Sequence, residues 1–218
     1  TAAKLNVIPI IADITNAESC IAAVSEAFKA LGGLDILVNN AAPNRDRAMI
    51  GKLDISDDWD KHSKLVIECV PRIIETAQKF MMPGSSVVNI SSIIGDKVGL
   101  DQCSWSYHVS KSGLDHLTRW LACRLGSAGI RVNAVSPALI DREVGRKLTD
   151  DIENKKIIEE IVPLGRVGRA DDIGQAVAFL SSHMASYITG QIINVDGGVG
   201  VMEPWAVASK VAKLQKYI

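Results

Sequence analysis

Tyr107 and Lys111 lie four residues apart in the run Tyr107-His108-Val109-Ser110-Lys111. On a helix, positions i and i+4 sit one above the other on the same face. A phenol held beside an ammonium is a proton-transfer pair. A free tyrosine titrates near ~10 and is a poor acid or base at neutral pH. A neighbouring cation favours the phenolate. Bringing such a phenol to neutrality takes about 3 pH units, or roughly 4 kcal/mol. One lysine in a partly dry cleft, helped by a second positive charge, can supply much of that. The spacing alone also occurs by chance on many helices, so the surroundings decide its meaning.

The elements that must position this pair are read from the hydrophobic pattern. Short apolar runs at Asn6–Ala12, Asp35–Val38, Ser86–Ile90, Ile130–Val135 and Gln191–Val195 predict strands. Between them, helical spacing predicts a helix capped by Asn16, carrying Ile21, Val24, Phe28 and Leu31 and stopped at Gly32-Gly33. A long helical stretch follows from about Asp57 to Met82, capped by Ser56 and interrupted at Pro71. Another, from about Ser104 to Ser127, carries Tyr107 and Lys111. Further helices are expected around Asp151–Ile161 and Ala170–Ser181, with a tail over 199–218. Strands alternating with helices of this length predict an α/β fold with a parallel sheet. Ligands in such sheets bind beyond the carboxyl ends of the strands. Asp13, Asn39–Ala42, Ser91-Ser92 and Ser136–Ile140 all fall there, and with Tyr107 and Lys111 they describe one cleft.

Composition narrows the function. With 218 residues and 47% hydrophobic content, one sizeable core and a single domain over 1–218 are expected. A net charge of −1 gives no basic stripe for nucleic acid. No apolar run reaches the ~20 residues of a membrane span, and no signal peptide is visible. Cys20, Cys69, Cys103 and Cys123 show no C-x-x-C spacing and read as reduced thiols of a cytoplasmic protein. His62, His108, His116 and His183 form no metal-binding pattern, so no metal site is expected. His108 should project about 100° away from Tyr107 as a surface group, and Trp59 and Trp105 read as packing residues.

Taken in order, Asn39-Asn40-Ala41-Ala42, Val88-Asn89-Ile90-Ser91-Ser92, Tyr107-x-x-x-Lys111, Ile130-Arg131-Val132-Asn133-x-Val135-x-Pro137, Pro163-Leu164-Gly165-Arg166 and Thr189-Gly190-Gln191 through Asp196-Gly197-Gly198 resemble a short-chain dehydrogenase/reductase of the classical type. The resemblance is closest to members that act on 3-oxoacyl thioesters and secondary alcohols. It implies a Rossmann-type, doubly wound, three-layer parallel sheet. It also implies NAD- or NADP-dependent hydride transfer between a secondary alcohol and a ketone of small-molecule size. Tyr107 would be the general acid or base, Lys111 would support it and bond the nicotinamide ribose, and Ser92 would polarise the substrate oxygen. Asp13 and Ile14 would lie by the adenine. Asn40, Ala41 and Ala42 would run along the middle of the cofactor, and Pro137, Ala138 and Ile140 would pack by the nicotinamide. Residues 141–163 would form a substrate lid. A homodimer or homotetramer is implied, with Leu117, Trp120, Leu121 and Leu125 available for core or interface.

The sequence departs from the family pattern in instructive ways. The family's first strand, its T-G-x-x-x-G-x-G turn and its second strand do not occur among these residues. In the family's strand order, 3-2-1-4-5-6-7, the absent strands separate Asn6–Ala12 from Asp35–Val38. Two strand edges would then lack partners, each unpaired group costing about 1–3 kcal/mol. The sequence is therefore expected to be an incomplete record of the folding protein, an expectation that direct pairing of those two strands would overturn. Val66 stands where the family places an Asn that supports Lys111, and Arg142 stands where a Thr grips the carboxamide. A non-catalytic relative that has lost cofactor binding is the competing expectation, as is a lyase or epimerase using Tyr107 as its base.

Overall fold

The computed structural model describes residues 7–43, 50, 52–53, 57–100, 102–141 and 147–215. Four parallel strands form one sheet in the order β1-β2-β3-β4: β1 Ile36–Asn39, β2 Ser86–Ile90, β3 Arg131–Pro137 and β4 Ile192–Val195. The register pairs Asn39 with Asn89, Ile90 with Val135, and Pro137 with Val195. The carboxyl ends of all four strands therefore lie along one margin. Each crossover contains helix: α2 Asp57–Ser63 and α3 Val70–Ala77, then α4 Trp105–Leu125, then α5 Ile152–Ile161 and α6 Ala170–Ser181. α1 Ala17–Leu31 precedes β1, and α7 Pro204–Gln215 follows β4.

Alternation along the strands builds two cores. Val87 and Val132 face Val24, Cys69, Ile74, Leu114, Leu121 and Leu125 from α1, the β1–β2 crossover and α4. Val88 and Val135 face Leu180 with Ile173, Ala176 and Val177 of α6. Side chains of period two thus cover both faces, and the result is the expected three-layer Rossmann-like arrangement. Arg131 ties the second layer down: Nη1 donates to Leu180 O at 2.6 Å and Nη2 to Ser182 O at 3.2 Å.

Local signals explain most boundaries. The Asn16 side chain caps α1 by accepting from Ser19 N, and Gly32 closes the helix at φ 73°. The Ser104 hydroxyl accepts from Tyr107 N at the start of α4. The expected strand over Asn6–Ala12 does not form in the described part, Val7–Ala12. Val7, Ile8 and Ile11 are exposed, and β1 is an edge strand with Ile36 50% and Val38 40% exposed. The physical reason is the ladder: an extended run is a strand only beside a neighbour, and this run makes no pairing with β1. The interruption expected at Pro71 comes earlier. Lys64–Cys69 form a π-helical turn in which Val70 N donates to Leu65 O. The wider turn moves the carbonyl four residues back out of the proline ring's way. The helix then ends at Ala77, short of Met82, and Ser56 lies outside the described residues. The tail contains α7, joined to α5 by Lys210 Nζ donating to Glu160 O at 2.8 Å.

Candidate active site

Lys111 is the buried centre of the site, only 7% exposed, on the face of α4 turned to the sheet. Its ammonium donates to Ile90 O, the last residue of β2, at 2.8 Å, and stands 5.7 Å from the centroid of the Tyr107 ring. The i, i+4 spacing has therefore brought the phenol and the ammonium together. Ser92 follows the end of β2 and caps a short 3-10 turn, Ile93–Gly95. That turn lies flush on α4: a Cβ on Gly95 would come within 2.6 Å of Asp115 Oδ2 and 3.1 Å of the Lys111 carbonyl carbon. Glycine is required here for close approach, and the approach sets the Ser92 turn against the Lys111 turn. Ser91 is buried and donates to Lys111 O at 3.5 Å, a structural role. Burial pushes the Asp115 carboxyl up, opposed by a hydrogen bond from Ser91 and by the charges of Arg119 and Lys111.

A narrow cleft joins Lys111 and Ser110 to Asn39, Ala41 and Ala42 at the end of β1 and to His62 and Val66 of the β1–β2 crossover. Asn40 is exposed beside it. Behind the cleft a polar chain crosses the sheet. Asn39 Nδ2 donates to Asn89 Oδ1 at 2.8 Å, Asn89 Nδ2 to Thr118 Oγ1 at 2.9 Å, and Thr118 Oγ1 to Leu114 O at 2.8 Å. Asn39 thus bonds a side chain of the next strand, which fixes the loop leading to Ala41 and Ala42.

The remaining expected residues lie outside this cleft. Pro137 ends β3, and Ala138 follows it half-buried. Ile140 bridges to Gly168 and lines a second, open cavity with Leu139, Val162, Leu164 and Val195, whose lining also includes Arg166, Asp172 and Asp196. Asp13 is exposed ahead of α1, where Thr15 donates to it from N at 2.8 Å and Oγ1 at 2.7 Å, holding its carboxyl below the usual range. Ile14 packs on the larger core. Arg142 and the start of the expected lid lie outside the described residues, whereas α5 forms its second half.

One of these groups behaves differently from expectation. His108 is half-buried: its Nε2 accepts from Gly99 N at 3.1 Å and its Nδ1 faces Ser104 O at 2.7 Å, the pattern of a neutral ring donating from Nδ1. Trp59 and Trp105 stack at 5.0 Å and lock α2 to the start of α4, as packing residues should. Of the four apolar residues offered by α4, Leu121 and Leu125 are core, Leu117 is partly buried, and Trp120 is 58% exposed.

Sequence reasoning missed Asp58 and His62. Both are buried, 4% and 2% exposed, with His62 Nε2 3.4 Å from Asp58 Oδ1. Asp58 Oδ2 accepts from Ser104 Oγ at 2.7 Å and from Ser106 Oγ. The His62 ring meets the Tyr107 ring at 5.5 Å and 75°. The available signal was the i, i+4 spacing of an acid and a histidine beside Trp59.

Known proteins share this architecture. Residues 1–200 match the family profile described as enoyl-(acyl carrier protein) reductase. The chain is 34% identical over 190 residues to the 3-oxoacyl-[acyl-carrier-protein] reductase FabG of Staphylococcus aureus, covering 86% of this chain and 75% of that protein. It is 34% identical over 189 residues to nodulation protein G of Azospirillum brasilense, covering 86% and 74%. A short-chain dehydrogenase/reductase from Serratia marcescens superposes with a TM-score of 0.78 at 31% identity, over 92% of this chain and 79% of that one. A blue fluorescent protein from a metagenomic library, solved in complex with NADPH, gives 0.75 at 31% identity, over 86% and 74%. On this combination of profile, identity and fold, the chain belongs to the short-chain dehydrogenase/reductase family of oxidoreductases.

Proposed function

We propose that the protein interconverts a secondary alcohol and a ketone, with NAD or NADP as cofactor and Tyr107 as general acid in reduction and general base in oxidation. The carrying observation is the buried Lys111 ammonium 5.7 Å from the Tyr107 ring, with the Ser92 turn packed on the same turn of α4. The donor set fits the nicotinamide half of such a cofactor: the buried Lys111 ammonium lines a cleft with the small residues Ala41 and Ala42, the Tyr107 ring lies 5.7 Å from that ammonium, and the Ser92 turn packs on the same helix. When bound, NAD(P) supplies or accepts the hydride. Carbonyl reduction builds negative charge on the substrate oxygen. Ser92 offers a hydrogen bond to that oxygen, and Tyr107 delivers its proton there. The resulting phenolate is stabilised by Lys111. Lys111, Asn40, Ala41, Ala42, Pro137, Ala138 and Ile140 would hold the cofactor, with Asp13 and Ile14 toward its adenine end.

The substrate reading is a 3-oxoacyl thioester or a similarly sized ketone, supported by the named reductase relatives and by the largely apolar second cavity beside Ile140. Residues 1–218 are read as one domain, with 141–163 covering the substrate. The exposed Trp120 on α4 offers a surface for a homodimer or homotetramer.

The test is turnover of a short 3-oxoacyl thioester by the purified protein with NADPH and, separately, NADH. The Tyr107→Phe variant should lose about 10²–10⁴-fold in kcat. Full activity in that variant would defeat the proposal. Failure of the parent protein to bind either nucleotide would favour the non-catalytic alternative.

A further inference from the structure

Tyr107 has a neighbour that the proposed chemistry does not use. His62 sits on α2 with its ring against the phenol at 5.5 Å, opposite a carboxylate, Asp58, that is itself almost wholly buried. A buried carboxylate near a phenol opposes ionisation of that phenol, because like charges in a poorly solvated site repel. Here the carboxylate is wrapped. Ser104 and Ser106, on the first turn of α4, give their hydroxyls to Oδ2, and His62 Nε2 stands on Oδ1 at 3.4 Å. Asp58 is therefore one side chain away from Tyr107 through both α2 and α4. The stacked pair Trp59–Trp105 closes the same contact between the helices.

We propose that Asp58 and His62 are a positioning pair for Tyr107. His62 fixes the phenol ring by contact and sets its Nε2 3.4 Å from Asp58 Oδ1, an electrostatic contact that keeps that negative charge from opposing the phenolate. Asp58 in turn anchors the first turn of α4, from which Tyr107 projects. Among the described residues, the titratable and charged groups in this arrangement are Asp58 and His62 from α2 and Tyr107 and Lys111 from α4. Lys111 draws the phenol toward ionisation, and the His62–Asp58 contact weakens the carboxylate's repulsion against it. The inference rests on the reading of Tyr107 as the acid–base group, yet its signature can be measured without turnover.

The experiment is an ultraviolet titration of tyrosinate in the nucleotide-free protein. Only three tyrosines are present, so Tyr187→Phe with Tyr217→Phe isolates Tyr107. In that background His62→Phe keeps an aromatic wall but removes the N–H. The Tyr107 midpoint should rise by about one pH unit. Adding Asp58→Asn should return it to within about 0.3 of the parent, and His62→Gln, which keeps a donor, should leave it there. In turnover, His62→Phe should lower kcat about tenfold with KM within twofold, because the effect is on proton transfer and not on binding. An unchanged or lowered midpoint in folded His62→Phe protein overturns the proposal. Should that variant not fold, His62→Leu decides in its place: a raised midpoint supports the proposal, and an unchanged or lowered one overturns it. If Tyr107→Phe proves fully active, the proposed function falls while the titration still reads the pair.

Discussion

Replacing Lys111 with methionine keeps the length and packing of the side chain and removes its charge. The ammonium is 5.7 Å from the Tyr107 ring centroid. Taking that distance as the charge separation, Coulomb's law gives about 3 kcal/mol of phenolate stabilisation at an effective dielectric of ~20, and about 0.7 kcal/mol in bulk water. At ~1.4 kcal/mol per tenfold, these limits correspond to losses of roughly 150-fold and 3-fold in a rate that depends on the phenolate. Lys111 is 7% exposed, which places the expected loss nearer the upper limit. The assay is kcat for alcohol oxidation across a pH series, with thermal unfolding run alongside. Lys111→Met also removes the bond to Ile90 O, so a stability loss of about 1–3 kcal/mol should accompany the kinetic one. The two are separated by pH: raising it restores the phenolate without the lysine, so the kinetic gap should narrow while the stability gap persists. A loss below twofold at neutral pH, or one that does not shrink as pH rises, refutes the electrostatic role of Lys111.

Two further perturbations probe the scaffold. Asn89→Leu keeps volume at a fully buried position but deletes the bonds to Asn39 and Thr118. At about 1 kcal/mol for each bond, it should cost roughly 2 kcal/mol, seen as a urea midpoint about 1 M lower, and an unchanged midpoint would show that the chain of amides contributes nothing. Asp172 accepts from Arg166 at 2.8 Å through both oxygens and from Arg169 N at 2.7 Å, and the Arg166 guanidinium holds its carboxyl well below the usual range. Because the folded form prefers the carboxylate, the stabilisation is complete above the unfolded value near ~3.9 and is lost as pH falls through the lower folded value. Asp172→Asn should therefore lower the melting temperature by about 2–4 °C at pH 7, the effect of roughly 1 kcal/mol at a partly exposed pair and cap, and the difference should vanish in strong acid; a difference that grows on acidification would contradict this sign.

The amino-acid sequence alone determined the parts of this protein that repeat along the chain. Apolar runs of strand length alternating with helical periods dictate a parallel sheet, and parallel strands place all their carboxyl ends on one margin. That geometry brings Asn39–Ala42, Ser92 and Pro137–Ile140 to the same side without any further information. The four-residue spacing of Tyr107 and Lys111 likewise follows from helix geometry, and the Asn16 and Gly32 boundaries from local hydrogen bonding and backbone freedom. Tertiary structure decided what depends on a neighbour. Val7–Ala12 has the composition of a strand but makes no ladder, because hydrogen bonding in a sheet is supplied by another segment. Pro71 marks an irregular helix, yet only packing shows that the distortion is a π turn placed before it. For Asp58 and His62 the sequence shows only a four-residue spacing. They become a buried unit only when α2 meets the first turn of α4, where Ser104, Ser106 and Tyr107 close around them. Periodicity records which face of an element is turned inward, and the identity of the group waiting there is set by the fold.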